Sequence, residues 1–304
     1  MDAISLAINA AEKRLPALMY RLSEPMRNHT SLRIGGPARA MYFPENTEDL
    51  IELCDVLGEH GVMPIIIGNG TNLLVDDKPL DAIVIKTSGL STIKSTGEAE
   101  ISADAGVLLS KLAMFACEYG FSGLEFAHGI PGSLGGAVLM NAGAYGGEMK
   151  NIILETTAYS LETGKITVTG EEHDFSYRRS RFADTGEIVL NSVVRLKNAD
   201  KDCIKAKMDE LNTRRLESQP LDLPSAGSTF KRPRDGYAAA LIEQAGLKGY
   251  AAGGAQVSEK HSGFIVNRGG ATFSEIMSVI EHVRETVLRQ SGIELELEVK
   301  VIGS

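Results

Sequence analysis

The sequence predicts an α+β protein with more than one domain. Near the N-terminus, a strand, a helix and a strand follow one another within residues 39–67. Residues 152–196 hold strand-like runs separated only by turns, which is typical of a mixed or antiparallel sheet. After the proline-punctuated stretch Pro220–Pro224, two helices and a final strand complete the chain. These three patterns in succession favour helices and strands that are largely segregated along the chain.

Local signals set the limits of the elements. Thr47 is a capping residue ahead of a helix with apolar positions at helical spacing. Pro25 and Asn28 interrupt the chain after the first amphipathic helix, and Glu162-Thr163-Gly164 provides a turn between two strands. The predicted helices are 3–20, 47–57, 108–119, 202–217, 236–246 and 273–290; the predicted strands are 39–43, 64–67, 74–75, 82–86, 98–104, 152–159, 165–168, 187–196 and 295–302.

Composition excludes several classes of function. The 304 residues include 31 basic and 40 acidic side chains, and a net charge of -9 argues against a general surface for nucleic acid or anionic membranes. Neither a signal peptide nor a membrane-spanning apolar run is recognisable, so we expect a cytoplasmic protein. Cys54, Cys117 and Cys203 lie far apart without disulfide or metal spacing, which predicts reduced core thiols and no metal site.

Two glycine-rich segments are candidates for holding a phosphate group. Gly68-Asn-Gly-Thr-Asn72 is a tight turn between two apolar strands, where backbone amides can converge on an oxyanion. A plain hairpin turn is the alternative. Seven glycines lie between Gly129 and Gly147, and Ser133 adds a hydroxyl donor there. Together the two segments can enclose a pyrophosphate through neutral amides, although a glycine-rich packing corner remains open for the second.

Three further segments carry groups that suit acid–base or carboxylate chemistry. Tyr177–Phe182 contains three arginines, Ser225–Pro233 joins a serine to a glycine turn and two cations, and Leu295–Val299 contains two glutamates. Strand alternation would place Glu296 and Glu298 on one face. The alternatives are, respectively, a solvated basic face, an ordinary turn and an exposed strand edge.

In their order along the chain, these motifs resemble those of the UDP-N-acetylenolpyruvoylglucosamine reductases. Thr30–Gly36, the Gly68–Asn72 turn, Gly129–Gly136 and Asn141–Tyr145 are similar to the flavin-binding segments of that family, and the resemblance extends from about Arg27 to Ile302. It implies an α+β protein with a vanillyl-alcohol-oxidase-like (PCMH-type) FAD-binding fold, in which two α/β subdomains clasp the flavin, plus a C-terminal α+β substrate-binding domain.

The resemblance also implies domain limits. Residues 1–88 would form the N-terminal helix and first FAD-binding subdomain, and residues 89–200 the second. Residues 201–304 would form the substrate-binding domain, with its C-terminal strand returning to the active site. About forty positions separate Tyr177 from Pro220, so the chain is similar to the shorter form of the family, which lacks an inserted loop carrying a tyrosine.

The family pattern assigns site residues. Reduction of an enolpyruvyl ether needs hydride at C3, a proton at C2 and stabilisation of enolate-like charge. The resemblance implies Ser228 as the proton donor, with Arg178 and Glu298 stabilising the charge. The residues implied for FAD are Gly68, Asn69, Gly70, Thr71, Asn72, Leu73, Gly129, Ile130, Pro131, Gly132, Ser133, Gly135, Gly136, Asn141, Gly143 and Tyr145. Those expected to contact substrate are Tyr177, Lys231, Arg232, Lys260 and His261.

The implied activity is NADPH-dependent, FAD-mediated reduction of UDP-N-acetylglucosamine enolpyruvate to UDP-N-acetylmuramate, a peptidoglycan precursor, by a monomer. Two alternatives stay open at this point. One is an FAD oxidase of the same fold that passes electrons from an alcohol or sugar to oxygen, and the other is a non-catalytic protein that binds flavin or senses a nucleotide.

Overall fold

The structure is a computed structural model that describes residues 2–303. In that range the α-helices are α1 Ala3–Arg14, α2 Thr47–Glu59, α3 Leu109–Tyr119, α4 Leu134–Leu139, α5 Phe182–Thr185, α6 Lys201–Ser218, α7 Ala238–Gln244 and α8 Phe273–Ser291. Within residues 2–303 no helix has the length and apolar character needed to cross a membrane.

The strands form several sheets. In chain order they are β1 Tyr20–Pro25, β2 Pro37–Tyr42, β3 Ile65–Ile67, β4 Leu73–Val75, β5 Leu80–Lys86, β6 Ile93–Gly97, β7 Glu100–Asp104, β8 Phe121–Ser122, β9 Gly143–Ala144, β10 Gly147–Glu148, β11 Ile153–Ser160, β12 Gly164–Thr169, β13 Ile188–Arg195, β14 Lys197–Asn198, β15 Ser225–Ser228, β16 Ala251–Ala252, β17 Ala255–Val257, β18 Phe264–Asn267 and β19 Lys300–Ile302.

The chain divides into two compact units. The first contains the residues up to Ser23 together with Arg39–Asn69 and Ala82–Thr213, and the second contains Glu24–Ala38, Gly70–Asp81 and Arg214 onwards. The division into 1–88, 89–200 and 201–304 stays a prediction.

Two sheets dominate the first unit. One has the strand order β1-β2-β5-β3, with β3 and β5 parallel, and it shares a core with α1 and α2 through residues such as Leu53 and Ile83. The other has the order β12-β11-β13-β7-β6, and every neighbouring pair is antiparallel. Leu112 and Ala116 of α3 pack into its core beside Ile101. Residues 152–196 therefore supply an antiparallel sheet, one of the two arrangements that their pattern allowed.

The second unit contains an antiparallel sheet of order β15-β18-β17-β16 and the two parallel strands β4 and β19. Helix α8 begins with a capping box in which Thr272 and Glu275 exchange side-chain and backbone bonds. Its buried face, with Val279 and Val283, joins Val257 of the sheet in one core. This sheet carries Ser228, so packing against α8 fixes the position of a candidate catalytic residue.

Several predicted limits were wrong. The first helix ends at Arg14 rather than 20, because Pro16 has no amide hydrogen and disfavours helical geometry in the residue before it. Asn46, not Thr47, caps α2, since its side chain accepts from the Asp49 amide. Strand β6 was missed because its sequence, Ile-Lys-Ser-Thr-Gly, is almost wholly polar and exposed. Cys203 is exposed and therefore is not a core thiol.

The predicted strand 295–302 was also largely wrong. Only Lys300–Ile302 forms a strand, in parallel register with Leu73–Val75. Residues 295–299 lie outside any strand, although Leu297 makes an isolated bridge with Phe230. The alternation argument for Glu296 and Glu298 therefore does not apply, because it requires extended strand geometry at those positions.

Candidate active site

Parts of the two glycine segments lie side by side in the first unit. The Asn69 side-chain amide donates to the Pro131 carbonyl. A Cβ atom added at Gly68 would clash with the Ser133 hydroxyl, so the backbone at 68 has to pass close to that oxygen. The tertiary structure thus joins residues more than sixty positions apart in sequence.

Ser133 provides the test of whether this cradle fits a phosphate-bearing cofactor. The side chain is 3% exposed, and its Oγ is buried with no hydrogen-bond partner among residues 2–303. A buried hydroxyl without a partner is unusual in a folded protein and is satisfied when a ligand oxygen meets it. Next to the bare backbone of Gly68, this donor fits a diphosphate such as that of FAD.

The hairpin interpretation of Gly68–Asn72 was wrong, because the flanking strands belong to different sheets. Strand β3 pairs with β5, whereas β4 pairs with β19. In the second unit, Gly70 has φ +65°, and an added Cβ would clash with the His29 carbonyl. Asn72 donates its side-chain amide to the Glu298 carbonyl at 3.0 Å and accepts at its own carbonyl from the Lys300 amide at 2.9 Å. Asn72 therefore anchors the segment that carries Glu298.

Backbone hydrogen-bonding groups in part of the second glycine segment have partners inside the protein. The Gly135 amide donates to the Ala105 carbonyl at 2.8 Å, and a Cβ at 135 would lie 2.8 Å from the Ala105 Cβ. The Gly132 carbonyl accepts from the Leu109 amide at 3.0 Å. Close packing against Ala105, which follows β7, thus explains Gly135.

A short hairpin follows this segment. Strands β9 and β10 pair through Ala144 and Gly147, and the two residues between them, Tyr145 and Gly146, have φ +52° and +86°. Positive φ at both central positions matches a type I′ turn. Just before the hairpin, Asn141 is 1% exposed, has φ +41°, and uses its side chain for contacts with Glu148, Lys150 and Ser176.

Arg178 lies on a tight turn of the first unit. Ser176 and Arg179 exchange backbone bonds of 3.0 and 3.3 Å across Tyr177 and Arg178. Arg178 has φ +56°, a value that favours glycine at the third position of a type II turn. Its guanidinium carbon lies 5.3 Å from the centre of the Tyr177 ring. An arginine held in a strained conformation is a feature of functional sites.

The other two arginines of this segment form ion pairs. Arg179 contacts Asp184 at 2.6 Å, and both groups are about half exposed. Arg181 makes bonds of 2.9 and 2.7 Å to both carboxylate oxygens of Glu187, and this pair raises the pKa of Arg181 and lowers that of Glu187. Arg179 and Arg181 therefore each pair with a nearby carboxylate of the first unit.

The second unit brings Ser228 and Glu298 onto adjacent backbone segments. The Glu298 amide donates to the carbonyl of Thr229 at 2.9 Å, and the Lys231 amide donates to the Glu296 carbonyl at 2.8 Å. A register shift in β15 falls between Ser225 and Ser228, where Gly227 has φ +74°. Such a bulge redirects the side chain that follows it.

The predicted substrate-contact residues have varied surroundings. Lys231 forms an exposed ion pair with Glu296 at 3.2 Å, so Glu296 contributes to a surface ion pair. Arg232 stacks 4.1 Å from the centre of the Tyr237 ring. The Lys260 ammonium donates to the Leu216 carbonyl in the last turn of α6.

His261 has a different character from these cations. Burial, the main cause, lowers its pKa, so the ring is neutral at neutral pH. Its Nδ1 accepts from the Gly263 amide at 3.2 Å, which leaves the hydrogen on Nε2.

Two residues outside the predicted set, Thr229 and Glu148, contact candidate site residues. Thr229 accepts from Glu298 at its carbonyl and from the Ile265 amide at its Oγ1, so it joins three segments. Glu148 accepts from Asn141 at 3.0 Å and pairs with Lys150 at 3.0 Å. No local signal identifies Thr229, because its partners Ile265 and Glu298 are distant in the sequence, whereas both partners of Glu148 lie within seven positions of it.

Comparisons with known proteins agree with this geometry. The family model for an FAD binding domain matches residues 38–191, and that for the C-terminal domain of UDP-N-acetylenolpyruvoylglucosamine reductase matches residues 219–302. Together they support the predicted α+β, vanillyl-alcohol-oxidase-like fold class with a separate C-terminal domain.

Relatives and a solved structure extend the likeness over nearly the whole chain. The UDP-N-acetylenolpyruvoylglucosamine reductases of Caldanaerobacter subterraneus subsp. tengcongensis and Agathobacter rectalis are each 47% identical, over 93% and 97% of this chain and 93% and 98% of their own. The crystal structure of the Thermus caldophilus enzyme superposes with a TM-score of 0.80 at 33% identity, covering 94% of this chain and 99% of that one. The chain therefore belongs to the UDP-N-acetylenolpyruvoylglucosamine reductases, a family of FAD-dependent oxidoreductases.

Proposed function

We propose that this protein catalyses the NADPH-dependent, FAD-mediated reduction of UDP-N-acetylglucosamine enolpyruvate to UDP-N-acetylmuramate, a step of peptidoglycan precursor synthesis. The observation that carries the proposal is the 2.9 Å bond from the Glu298 amide to the carbonyl of Thr229, the neighbour of Ser228. It supports a hydroxyl proton donor and a carboxyl group acting together in a chain of this family.

The glycine segments are proposed to hold the cofactor. Gly68, Asn69 and the Gly129–Gly136 stretch would receive the diphosphate, with the Ser133 hydroxyl as a side-chain donor. The rest of the predicted FAD set, apart from Asn141, belongs to the same proposal. When bound, FAD would supply the hydride chemistry, with NADPH as the hydride donor and flavin N5 as the proposed source of the hydride that reaches C3 of the enolpyruvyl group.

The protein's own groups would handle the proton and the charge. Ser228 donates its hydroxyl proton to C2. Because a serine hydroxyl is a weak acid, it needs nearby groups that stabilise the alkoxide it leaves. Arg178 binds the substrate carboxylate through charge-assisted hydrogen bonds. The carboxyl group of Glu298 stabilises the enolate-like charge by donating a hydrogen bond to it.

Tyr177, Lys231, Arg232, Lys260 and His261 are proposed to contact the substrate. Lys231 is a reasonable phosphate ligand because its exposed pair with Glu296 is weak and can be exchanged. Neutral His261 would act as a hydrogen-bond donor through Nε2 rather than as a cation. We also infer a cytoplasmic monomer of the family's shorter form.

The test is an anaerobic two-step experiment. NADPH is added to the flavin-loaded protein to bleach the flavin spectrum, and UDP-N-acetylglucosamine enolpyruvate is then added. Return of the oxidised spectrum supports both half-reactions. Bleaching without return rejects this acceptor, and failure to bind FAD rejects the whole proposal. Oxygen consumption with an alcohol or sugar favours the oxidase alternative.

Ser228→Ala refines the test. Only the second half-reaction needs the proton, so bleaching by NADPH should keep its rate and the return of colour should slow strongly. Ser225→Ala, in the same strand before the bulge, is the matched control and should leave both rates unchanged. Equal slowing of both half-reactions by Ser228→Ala contradicts the role of this serine.

A further inference from the structure

We propose that Asn141 is a positioning residue for Arg178, rather than a direct ligand of the flavin. The inference rests on the proposed function, in which Arg178 binds the substrate carboxylate. It concerns a joint between the β9–β10 hairpin and the Ser176–Arg179 turn within the first unit.

The side-chain amide of Asn141 is fully used inside the protein. Its Nδ2 carries two hydrogens, and the nitrogen donates to Glu148 Oε2 and to the Ser176 carbonyl, each at 3.0 Å. Its Oδ1 accepts from the Lys150 amide at 2.9 Å. With both hydrogens engaged and the residue 1% exposed, the side chain has no donor left for a cofactor.

The surrounding groups fix the orientation of this amide. A backbone amide must face Oδ1, and a carboxylate must face Nδ2. A flipped side chain would set Nδ2 against the Lys150 amide donor and Oδ1 against two acceptors, Glu148 Oε2 and the Ser176 carbonyl. Glu148 stays ionised because its pKa is lowered, first by the hydrogen bond to Lys150, and also by Asn141 and the charge of Arg178. The second amide hydrogen is therefore directed at Ser176.

Ser176 begins the turn that presents Arg178. Arg178 has φ +56°, a conformation disfavoured by its Cβ, so the turn needs outside support to persist. Two buried side chains supply it, because Asn141 holds the Ser176 carbonyl and Ser180 donates its hydroxyl to the Leu139 carbonyl at 2.9 Å. Loss of the Asn141 bond should let the turn relax and displace the guanidinium.

Asn141→Asp is the informative variant. Aspartate has the same shape, tolerates the left-handed φ of +41° and keeps the acceptor for Lys150, but loses both donors. Asn141→Gly removes the side chain without backbone strain and without adding charge, so it serves as the second variant. Asn191→Asp is the matched control, because Asn191 also donates to a carboxylate, Asp104, at 3.1 Å.

The measurement is a double-mutant cycle on the two half-reactions, with FAD saturating. In the background that keeps Arg178, Asn141→Asp and Asn141→Gly should slow the return of flavin colour on the order of ten- to a hundredfold, with the rate of bleaching by NADPH unchanged. In an Arg178→Ala background the same changes should have no further effect. Asn191→Asp should lower stability but change neither rate.

The outcomes separate this inference from the proposed function. If Arg178→Ala alone leaves the return of colour unchanged, the proposed role of Arg178 fails. If Arg178→Ala slows it but the Asn141 variants slow it equally in both backgrounds, the positioning role is overturned while the function stands. If both Asn141 variants weaken FAD binding and leave the rates normal at saturating FAD, Asn141 serves the flavin instead, which also overturns the inference.

Discussion

Gly227→Ala tests whether the bulge before Ser228 aims that side chain. Gly227 has φ +74°, and a Cβ built there meets no heavy atom within 4 Å. The substitution therefore creates no clash, and its whole effect is conformational. A residue with a Cβ in the left-handed region loses roughly 1–2 kcal/mol relative to glycine, so the free energy of unfolding should fall by about that amount. The melting temperature should fall by roughly 2–3 °C.

The chain offers a close control. Gly246, after α7 in the same unit, has φ +74° as well and also has open space around an added Cβ. Gly246→Ala should therefore lower stability by a similar amount, but it has no link to Ser228. If the backbone at 227 relaxes toward an ordinary strand conformation, Ser228 moves, and Gly227→Ala alone should slow flavin reoxidation on the order of tenfold or more.

The assay pairs urea unfolding with anaerobic stopped-flow measurement of both half-reactions. Equal stability losses with a reoxidation defect only in Gly227→Ala support the reasoning. A normal reoxidation rate in a destabilised Gly227→Ala protein would refute the aiming role of the bulge. Unchanged stability in both variants would refute the left-handed conformations themselves.

Two further predictions follow from the ion pairs and from burial. Arg179→Gln should lower the free energy of unfolding, measured with urea, by less than about 1 kcal/mol, because its pair with Asp184 is exposed. It should leave the flavin reoxidation rate unchanged, whereas Arg178→Gln should lower that rate. Equal losses of rate in the two variants would contradict a special role for Arg178. His173 is buried between Gly170 and Thr156, and burial, as the main cause, lowers its pKa below 6.5, so the folded state holds a neutral ring. As the pH falls, the unfolded state binds the proton at a higher pH than the folded state does. The free energy of unfolding should therefore decrease as the pH drops below 6.5 toward the lower pKa of the folded state. The decrease should be at most about 1.4 kcal/mol per pH unit. Unfolding of the wild type and His173→Gln at pH 7.5 and 5.5 should show a smaller loss in the variant, and identical losses would assign the effect to other groups.

The sequence was sufficient for elements whose signals are local. Helices α2, α3, α6 and α8 appear within a few residues of their predicted limits, because apolar spacing and turn residues act over one or two helical turns. The same holds for β11 to β13, whose turn and apolar runs predicted a sheet. The ordered glycine motifs were sufficient to indicate the family, which the comparisons support over nearly the whole chain.

Features set by distant contacts were not predictable from these signals. Strand β6 has a polar sequence and forms through its pairing with β7, and the glycine turn at 68–72 leads into a different sheet rather than back along its own strand. The short final strand depends on parallel pairing with β4. In each case the partner, and not the local sequence, determines the backbone conformation.

The sequence by itself determined which residue types are available for the chemistry: an arginine-rich turn, a serine beside a glycine, and a glutamate near the C-terminus. Only the tertiary structure decided how some of them are arranged. It set Glu298 against Thr229, gave Arg179 and Arg181 carboxylate partners, and committed the amide of Asn141 to the turn of Arg178. The physical reason is that hydrogen bonds and ion pairs between distant segments form only after the cores bring those segments together, so no local pattern records them.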